Sequence, residues 1–307
     1  MSRPISASLL LLITSLASAT LFAAQPLVDG DWLENNLRKS NVVVLDIRNK
    51  IDKGSREVYE KGHIPGAIYS NYTDEGWRTT KNDVVGMLPE QADLEALIGG
   101  LGIGNDDHVV IVPAGVSATD YGSATRIYWT FKVLGHDDVS ILNGGYALWS
   151  GQGRATEVGS NRRQPKTFKA NMRPELIATL DEVAQVVKTG GGTILVDDRI
   201  KVQYLGEKKS PQVERYGGIP GARNVPADEF YNEGTQEFAK TEQLRQMWRD
   251  AGIDEDSEQI TYCNTGHWGS LGWFASHELL GNKRTRLYDG SLAEWSRHKD
   301  LPMVIPK

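Results

Sequence analysis

YCNTGHWGSLGWFASHELL, residues 262–280, holds the only cysteine of the chain. Gln259 to Tyr262 reads as a short strand and Ser270 to Leu280 as a helix stopped by Gly281. Between them lie the six-residue loop Cys263 to Trp268 and then Gly269. A thiol is thereby placed at the mouth of a helix. Unpaired backbone N–H groups and the positive end of the helix dipole favour a thiolate there, and they equally favour a bound anion. A free cysteine taken alone is more often a small buried hydrophobe. Its neighbours argue otherwise here: Asn264, Thr265, Gly266, His267 and Gly269 are not core-filling residues, and the two glycines let successive N–H groups turn toward one point.

A thiolate in such a cradle also serves phosphatase and arsenate-reductase chemistry, which needs an arginine six positions on to grip the oxyanion bidentately. Gly269 stands there. A smaller substrate whose reacting atom is sulfur remains.

Working outward, the chain repeats itself once. VVVLDIR (42–48), YEKGHIPGA (59–67), DDHVVIVPAG (106–115) and LGHDDVSILNGGYALW (134–149) are followed, in the same order, by TILVDDR (193–199), ERYGGIPGA (214–222), SEQITYCNTG (257–266) and LGNKRTRLYDGSLAEW (280–295). Short β-branched runs alternate with helix-period segments at 90–101, 124–134, 180–188 and 241–251. That alternation predicts an α/β fold of two tandem domains, each a mainly parallel sheet with helices on both faces. Ligands in such sheets sit at the carboxyl ends of strands, where Cys263 is. Superposing the copies puts Pro113, which has neither nucleophile nor N–H, at the place of Cys263.

On the cysteine loop, the duplication and the D-x-R and G-x-I-P-G-A segments, the sequence resembles the two-domain rhodanese sulfurtransferases over nearly the whole mature chain. The resemblance implies that Cys263 is the nucleophile, taking sulfur from thiosulfate or 3-mercaptopyruvate as a persulfide and passing it to a thiophile such as cyanide, a cellular thiol or a protein acceptor. It implies an inactive first domain forming one wall of the cleft, with loop residues Asn264, Thr265, Gly266, His267, Trp268 and Gly269 around the substrate and Arg199 beside them. The alternative is a persulfide carrier that turns over poorly by itself. Gln203 stands where a substrate-gripping arginine is expected, which leaves Lys201, Lys208, Lys209 and Arg215 as candidates. Asp46 with Arg48 reads as a structural ion pair, and His63 as a turn or capping residue. His267 reads as a solvent-facing loop residue or as an aid to the thiol. Trp268 reads as a packing residue, either a lid or an interdomain contact.

Of 307 residues, 39% are hydrophobic and 24% charged, with a net charge of −6 and no long basic run, so nucleic acid is not an expected partner. No metal or organic cofactor is expected, since the histidines lack ligand spacing. Residues 1–24 carry Arg3, an apolar core from Leu9 to Ile13 and the small-residue pattern Ala17-Ser18-Ala19, which predicts a secretory signal and a periplasmic or secreted protein with no stable membrane span in the mature chain. A first domain at 25–158 and a catalytic one at 175–307 are then joined by 159–174, GSNRRQPKTFKANMRP, read as a solvated basic linker.

Overall fold

The computed structural model describes residues 24–306, so the signal expected at 1–24 lies almost wholly outside the described residues. The first half contains β1 (Leu27–Val28), β2 (Val42–Asp46), β3 (Ile68–Tyr69), β4 (Thr79–Lys81), β5 (Val84–Met87), β6 (His108–Val112) and β7 (Val139–Leu142). The second contains β8 (Ile177–Ala178), β9 (Ile194–Asp197), β10 (Arg223–Asn224), β11 (Tyr231–Asn232), β12 (Glu237–Phe238), β13 (Gln259–Tyr262) and β14 (Thr285–Tyr288). Each half builds one five-stranded sheet, β3-β2-β6-β7-β1 and β10-β9-β13-β14-β8, and one two-stranded hairpin. Every pairing within the two large sheets is parallel. The path is the same in both, as the duplicated sequence requires. All five residues of β2 are buried, as a strand covered by helices on both faces demands.

Register ties the copies together residue by residue. Asp46 faces Val112 across β2 and β6, and Asp197 faces Tyr262 across β9 and β13. The next residues, Pro113 and Cys263, are therefore equivalent positions at strand ends. The expected helices appear at Gln91–Gly100, Leu180–Thr189 and Thr241–Asp250.

The helix expected at 124–134 instead runs from Ala118 to Val133, capped by the Ser117 hydroxyl on the Asp120 N–H. Nearly all of it is buried, because it is wedged between the halves against the helix that follows the cysteine loop. With both faces covered it carries no polar stripe, and its first turns, ATDYGS, read as a loop. The helix after the loop is α-helical only over Gly269–Trp273 and continues as a π-helix over Phe274–Leu279.

Segment 159–174 is not a solvated tether. Arg163 and Lys166 both reach the buried Asp107, Lys169 reaches Glu95, Arg173 is bidentate to Asp137, and Phe168 is buried. Partners for these bases lie in the first half, so the segment is a strap across it. The halves also exchange contacts almost symmetrically: Leu88 N–H donates to Asp289 (2.7 Å) and Phe238 N–H donates to Asn143 (2.9 Å), the two acceptors being equivalent in the repeat.

Candidate active site

Cys263 leaves β13 and lies on the floor of a cavity of about 410 Å³ at the junction of the halves. Cys263 is only 1% exposed and is one of the residues lining this cavity. The loop is pinned from behind by Ser291. The Ser291 hydroxyl accepts the N–H groups of Cys263 (3.1 Å) and Gly266 (3.0 Å) and donates to the Tyr288 carbonyl (2.9 Å). Ser291 does so from φ 49°, a left-handed conformation that costs a residue with a side chain about 1–2 kcal/mol. Loop carbonyls are satisfied too: Leu292 N–H donates to Cys263 O and Ala293 N–H to Asn264 O. By contrast, the N–H groups of Asn264, Thr265, His267 and Trp268 meet no acceptor among the described residues. A loop whose carbonyls are bonded and whose amides are free is suited to an anion.

The first half supplies the opposite wall. Arg78 donates to Gly86 O (3.1 Å) and Thr265 O (2.6 Å), so its charge faces carbonyls, not a carboxylate. Arg126 is fully buried, ion-paired to Asp289, and also donates to Gly266 O. Thr119 takes the indole N–H of Trp268 (3.2 Å), so Trp268 touches the opposite half.

His267 differs from its expectation as a solvent-facing residue. Its Nε2 lies 2.8 Å from Thr119 O, which can only accept, so that nitrogen carries the proton; Nδ1 then accepts from the Tyr72 hydroxyl at 2.8 Å. Burial first, then Arg78, lowers its pKa to about 3, so it stays neutral and joins the halves as a latch. A neutral ring with both nitrogens engaged has no proton to exchange with the thiol. The latch is built by a close approach: a Cβ on Gly122 would stand 2.7 Å from His267 Nε2.

Of the other expected substrate contacts, Asn264, Thr265 and Trp268 line the cavity. Gly266 and Gly269 do not; they are packing glycines. A Cβ at Gly269 would lie 2.9 Å from Leu287 and 3.1 Å from Tyr262, which leaves no room for the arginine of a phosphatase clamp. Arg199 lies apart from the cavity as well. It is 1% exposed, bidentate to Asp197 and bonded to Gly217 O, because residues 197 and 262 share the sheet face opposite the one bearing 198 and 263. It repeats the structural pair of Asp46 with Arg48. His63 is buried, stacked on Tyr59 and bonded to Asn161, away from the cleft. Among the lysine and arginine candidates only Lys209 enters the cavity. Arg215 is spent on carbonyls of residues 295–301, and Lys201 faces a separate pocket.

The rhodanese-like domain family matches residues 29–152 and 179–298. The chain belongs to the rhodanese family of sulfurtransferases. It is 34% identical over 289 residues to a protein of Saccharopolyspora erythraea named "Putative thiosulfate sulfurtransferase", covering 92% of this chain and 96% of that one. It is 33% identical over 281 residues to the thiosulfate sulfurtransferase of Rattus norvegicus, covering 88% and 92%. Among solved structures it is similar to the 3-mercaptopyruvate sulfotransferase SseA of Escherichia coli, with a TM-score of 0.76 and 25% identity, covering 87% of this chain and 99% of that one.

Several residues of this rhodanese site escaped the sequence reading. Ser291 left a signal: it replaces Gly145 of the first copy, a serine where the repeat has glycine. Tyr72, Arg78 and Thr119 left none, since they lie far from the loop in sequence and outside the repeated segments. In the sequence Asp198 is only the middle residue of D-x-R. It is fully buried, neither carboxyl oxygen has a partner among the described residues, and a Cβ on Gly272 would sit 2.3 Å from both. Burial first, then the charge of Cys263, raises its pKa well above the usual carboxylate range, so the group is a neutral acid packed under the helix.

Proposed function

We propose that this sulfurtransferase moves a sulfane sulfur from thiosulfate, or a related anionic donor, to a thiophilic acceptor through a persulfide on Cys263. The observation that carries the reading is the cavity itself: a thiol on its floor, four unclaimed loop N–H groups, Arg78 and Lys209 in its wall, and no acidic side chain lining it. Sγ of the thiolate attacks the outer sulfur of thiosulfate, forming one S–S bond as the old one breaks and its electron pair leaves on sulfite. Loop N–H groups and the helix that follows stabilise the charge on both species. An acceptor, cyanide in the test tube or a thiol, then removes the outer sulfur and restores the thiolate, which gives ping-pong kinetics.

Intact mass after thiosulfate and again after cyanide tests the reading. Wild type is expected to gain and then lose one sulfur atom, and Cys263→Ser to do neither; an unchanged wild-type mass would end the proposal. Steady turnover with both reagents distinguishes an enzyme from a carrier that loads once. Arg3, the apolar run at 9–13 and the Ala17-Ser18-Ala19 pattern support a periplasmic or secreted location. Cell fractionation with N-terminal mass analysis checks it: a cytosolic chain retaining Met1 would refute it. Among the described residues, no helix is long and apolar enough to cross a membrane.

A further inference from the structure

Sulfur transfer as written above gives Asp198 no task, yet the fold places it beneath the nucleophile. Its N–H donates to the Tyr262 carbonyl (2.9 Å), one step beyond the pairing of Asp197 with Tyr262, so Asp198 and Cys263 are neighbours at two parallel strand ends and share a face. Side chains so placed stand on the order of 5 Å apart. Both residues are buried, and neither carboxyl oxygen has a hydrogen-bond partner among the described residues. The helix above makes room for the group, since any Cβ at Gly272 would meet both oxygens.

The first half shows what this place holds when no thiol lies beside it. Ile47 N–H donates to the Val112 carbonyl (3.1 Å) as Asp198 N–H does to Tyr262, and Ile47 is wholly buried in the apolar core. An isoleucine suits that place, whereas a carboxyl without partners is costly there. The acid thus occurs in the half that has the cysteine and not in the half that has Pro113. Few charges act on it. The Cys263 sulfur faces it from the neighbouring strand, and Asp197 lies on the opposite face, paired to Arg199. The helix Gly269–Trp273 has no titratable side chain. The turn Ala227–Phe230, whose Ala227 N–H donates to the Asp198 carbonyl (3.1 Å), carries Asp228 and Glu229, both exposed. With no cation opposite, the carboxyl holds its proton, first through burial and then through the charge of the sulfur.

We infer that Asp198 is a positioning residue for sulfur loading: it and Cys263 together carry one negative charge, which rests on sulfur while the carboxyl keeps its proton, and loss of that proton to solvent closes the cradle to anions. The inference rests on the persulfide chemistry proposed above and goes beyond it by naming the group that governs the charge beneath the thiol. The thiol gives one proton to solvent to become the nucleophile. The carboxyl gives up a second only at higher pH, leaving two adjacent negative charges. An anionic donor then meets a doubly charged floor, while a neutral reagent of similar size is affected less.

Because Cys263 is the only cysteine, its alkylation can be followed by intact mass. Iodoacetate, an anion, and iodoacetamide, its neutral counterpart, are compared from about pH 7 to about pH 10. Both consume the thiolate, so their rate ratio cancels its abundance and reads the local charge. In the wild type the iodoacetate-to-iodoacetamide ratio is expected to fall about tenfold over that range. In Asp198→Asn and in Asp198→Val, which mimics the apolar residue of the first half, it is expected to fall by less than about threefold, melting temperatures reporting that both are folded. Changes at Lys209 are common to all three proteins. Loading by thiosulfate is expected to show the same alkaline fall in the wild type alone. Identical ratio profiles in the three proteins, or rates lowered by one factor at every pH, would overturn the inference and leave Asp198 a packing residue. The expected wild-type ratio profile with no sulfur gained from thiosulfate would instead overturn the persulfide chemistry and leave the coupling standing.

Discussion

Loops 113–117 and 263–268 begin at equivalent strand ends and lead into helices, yet one is closed and the other open. In the first, the N–H groups of Ala114, Gly115 and Val116 all donate to the carboxyl of Asp120, at 3.1, 2.5 and 3.1 Å. The chain has placed its own acid in the cradle. In the second, Ser291 takes the N–H groups of Cys263 and Gly266 from behind, and those of Asn264, Thr265, His267 and Trp268 stay free beside a thiol among the described residues. The residue behind each loop differs in the same sense. Gly145, at φ 55°, lies so close that a Cβ would stand 2.6 Å from Pro113 O and 2.7 Å from Gly115 N. Ser291, at φ 49°, stands back far enough to place a hydroxyl under the loop. A duplicated anion cradle thus becomes structural by filling and reactive by being held open.

Removing the prop should cost most. Ser291→Ala strips the acceptor from two buried N–H groups, about 1–3 kcal/mol of stability, and lets the loop move; kcat/KM for thiosulfate is expected to fall about a hundredfold. Ser291→Gly loses the same hydroxyl but relieves the left-handed conformation, so it should melt higher than the alanine variant while being equally slow. Equal melting with intact activity in both would show that the hydroxyl does not hold the cradle.

Gly122→Ala tests the latch between the halves. A methyl group 2.7 Å from His267 Nε2 must push the ring off Thr119, at a cost of about 1–3 kcal/mol. Because Thr119, His267 and Trp268 all line the cavity, KM should rise more than kcat falls. Steady-state kinetics alongside thermal melting would check this, and an unchanged KM would make the latch irrelevant to binding.

Two buried groups bound the pH range from opposite sides. His267 titrates below its ordinary value because burial favours the neutral ring. Its contribution is present above about 6.5 and is lost as pH falls toward about 3. Asp120 is pushed up to about 8, first by burial and then by the neighbouring Asp52, against the pull of its three N–H donors. Its contribution is complete below the ordinary carboxylate value and is lost as pH rises through about 8. Denaturant midpoints against pH should therefore show His267→Gln flattening the acid side and Asp120→Asn the alkaline side. The reverse pattern would mean that the protonation states are misassigned.

Much of this was legible in the chain. The repeat gave the two parallel sheets, because β-branched runs at matching intervals have one economical arrangement, and strand, cysteine, polar loop and helix gave the loop its boundaries. The helix at 118–133 was seen only in its second half, since burial on both faces removes the periodicity that marks a helix. Arg199 was misplaced for a geometric reason: alternate residues of a strand face opposite ways, and it shares the face of Asp197, not that of Cys263. Arg78, Thr119 and Tyr72 could not be found by reading along the loop, because an interface between halves leaves no local pattern in either.

The smallest expected effect is the most pointed test of the two cradles. Pro113→Cys restores a nucleophile at the strand end of the first half, yet the mass gain after thiosulfate should remain one sulfur atom per chain. A thiol there still finds the three amides held by Asp120 and the backbone of Gly145 pressed against the loop. A second sulfur from this single change would show that the missing cysteine alone separates the halves. A second sulfur only when Asp120→Ala is added would assign the difference to the plug. If neither variant gains it, free amides and a thiol together do not suffice, and the difference passes to the Gly145 backbone against the first loop, where the second has the Ser291 hydroxyl, and to the Arg78 and Lys209 that line the second cavity.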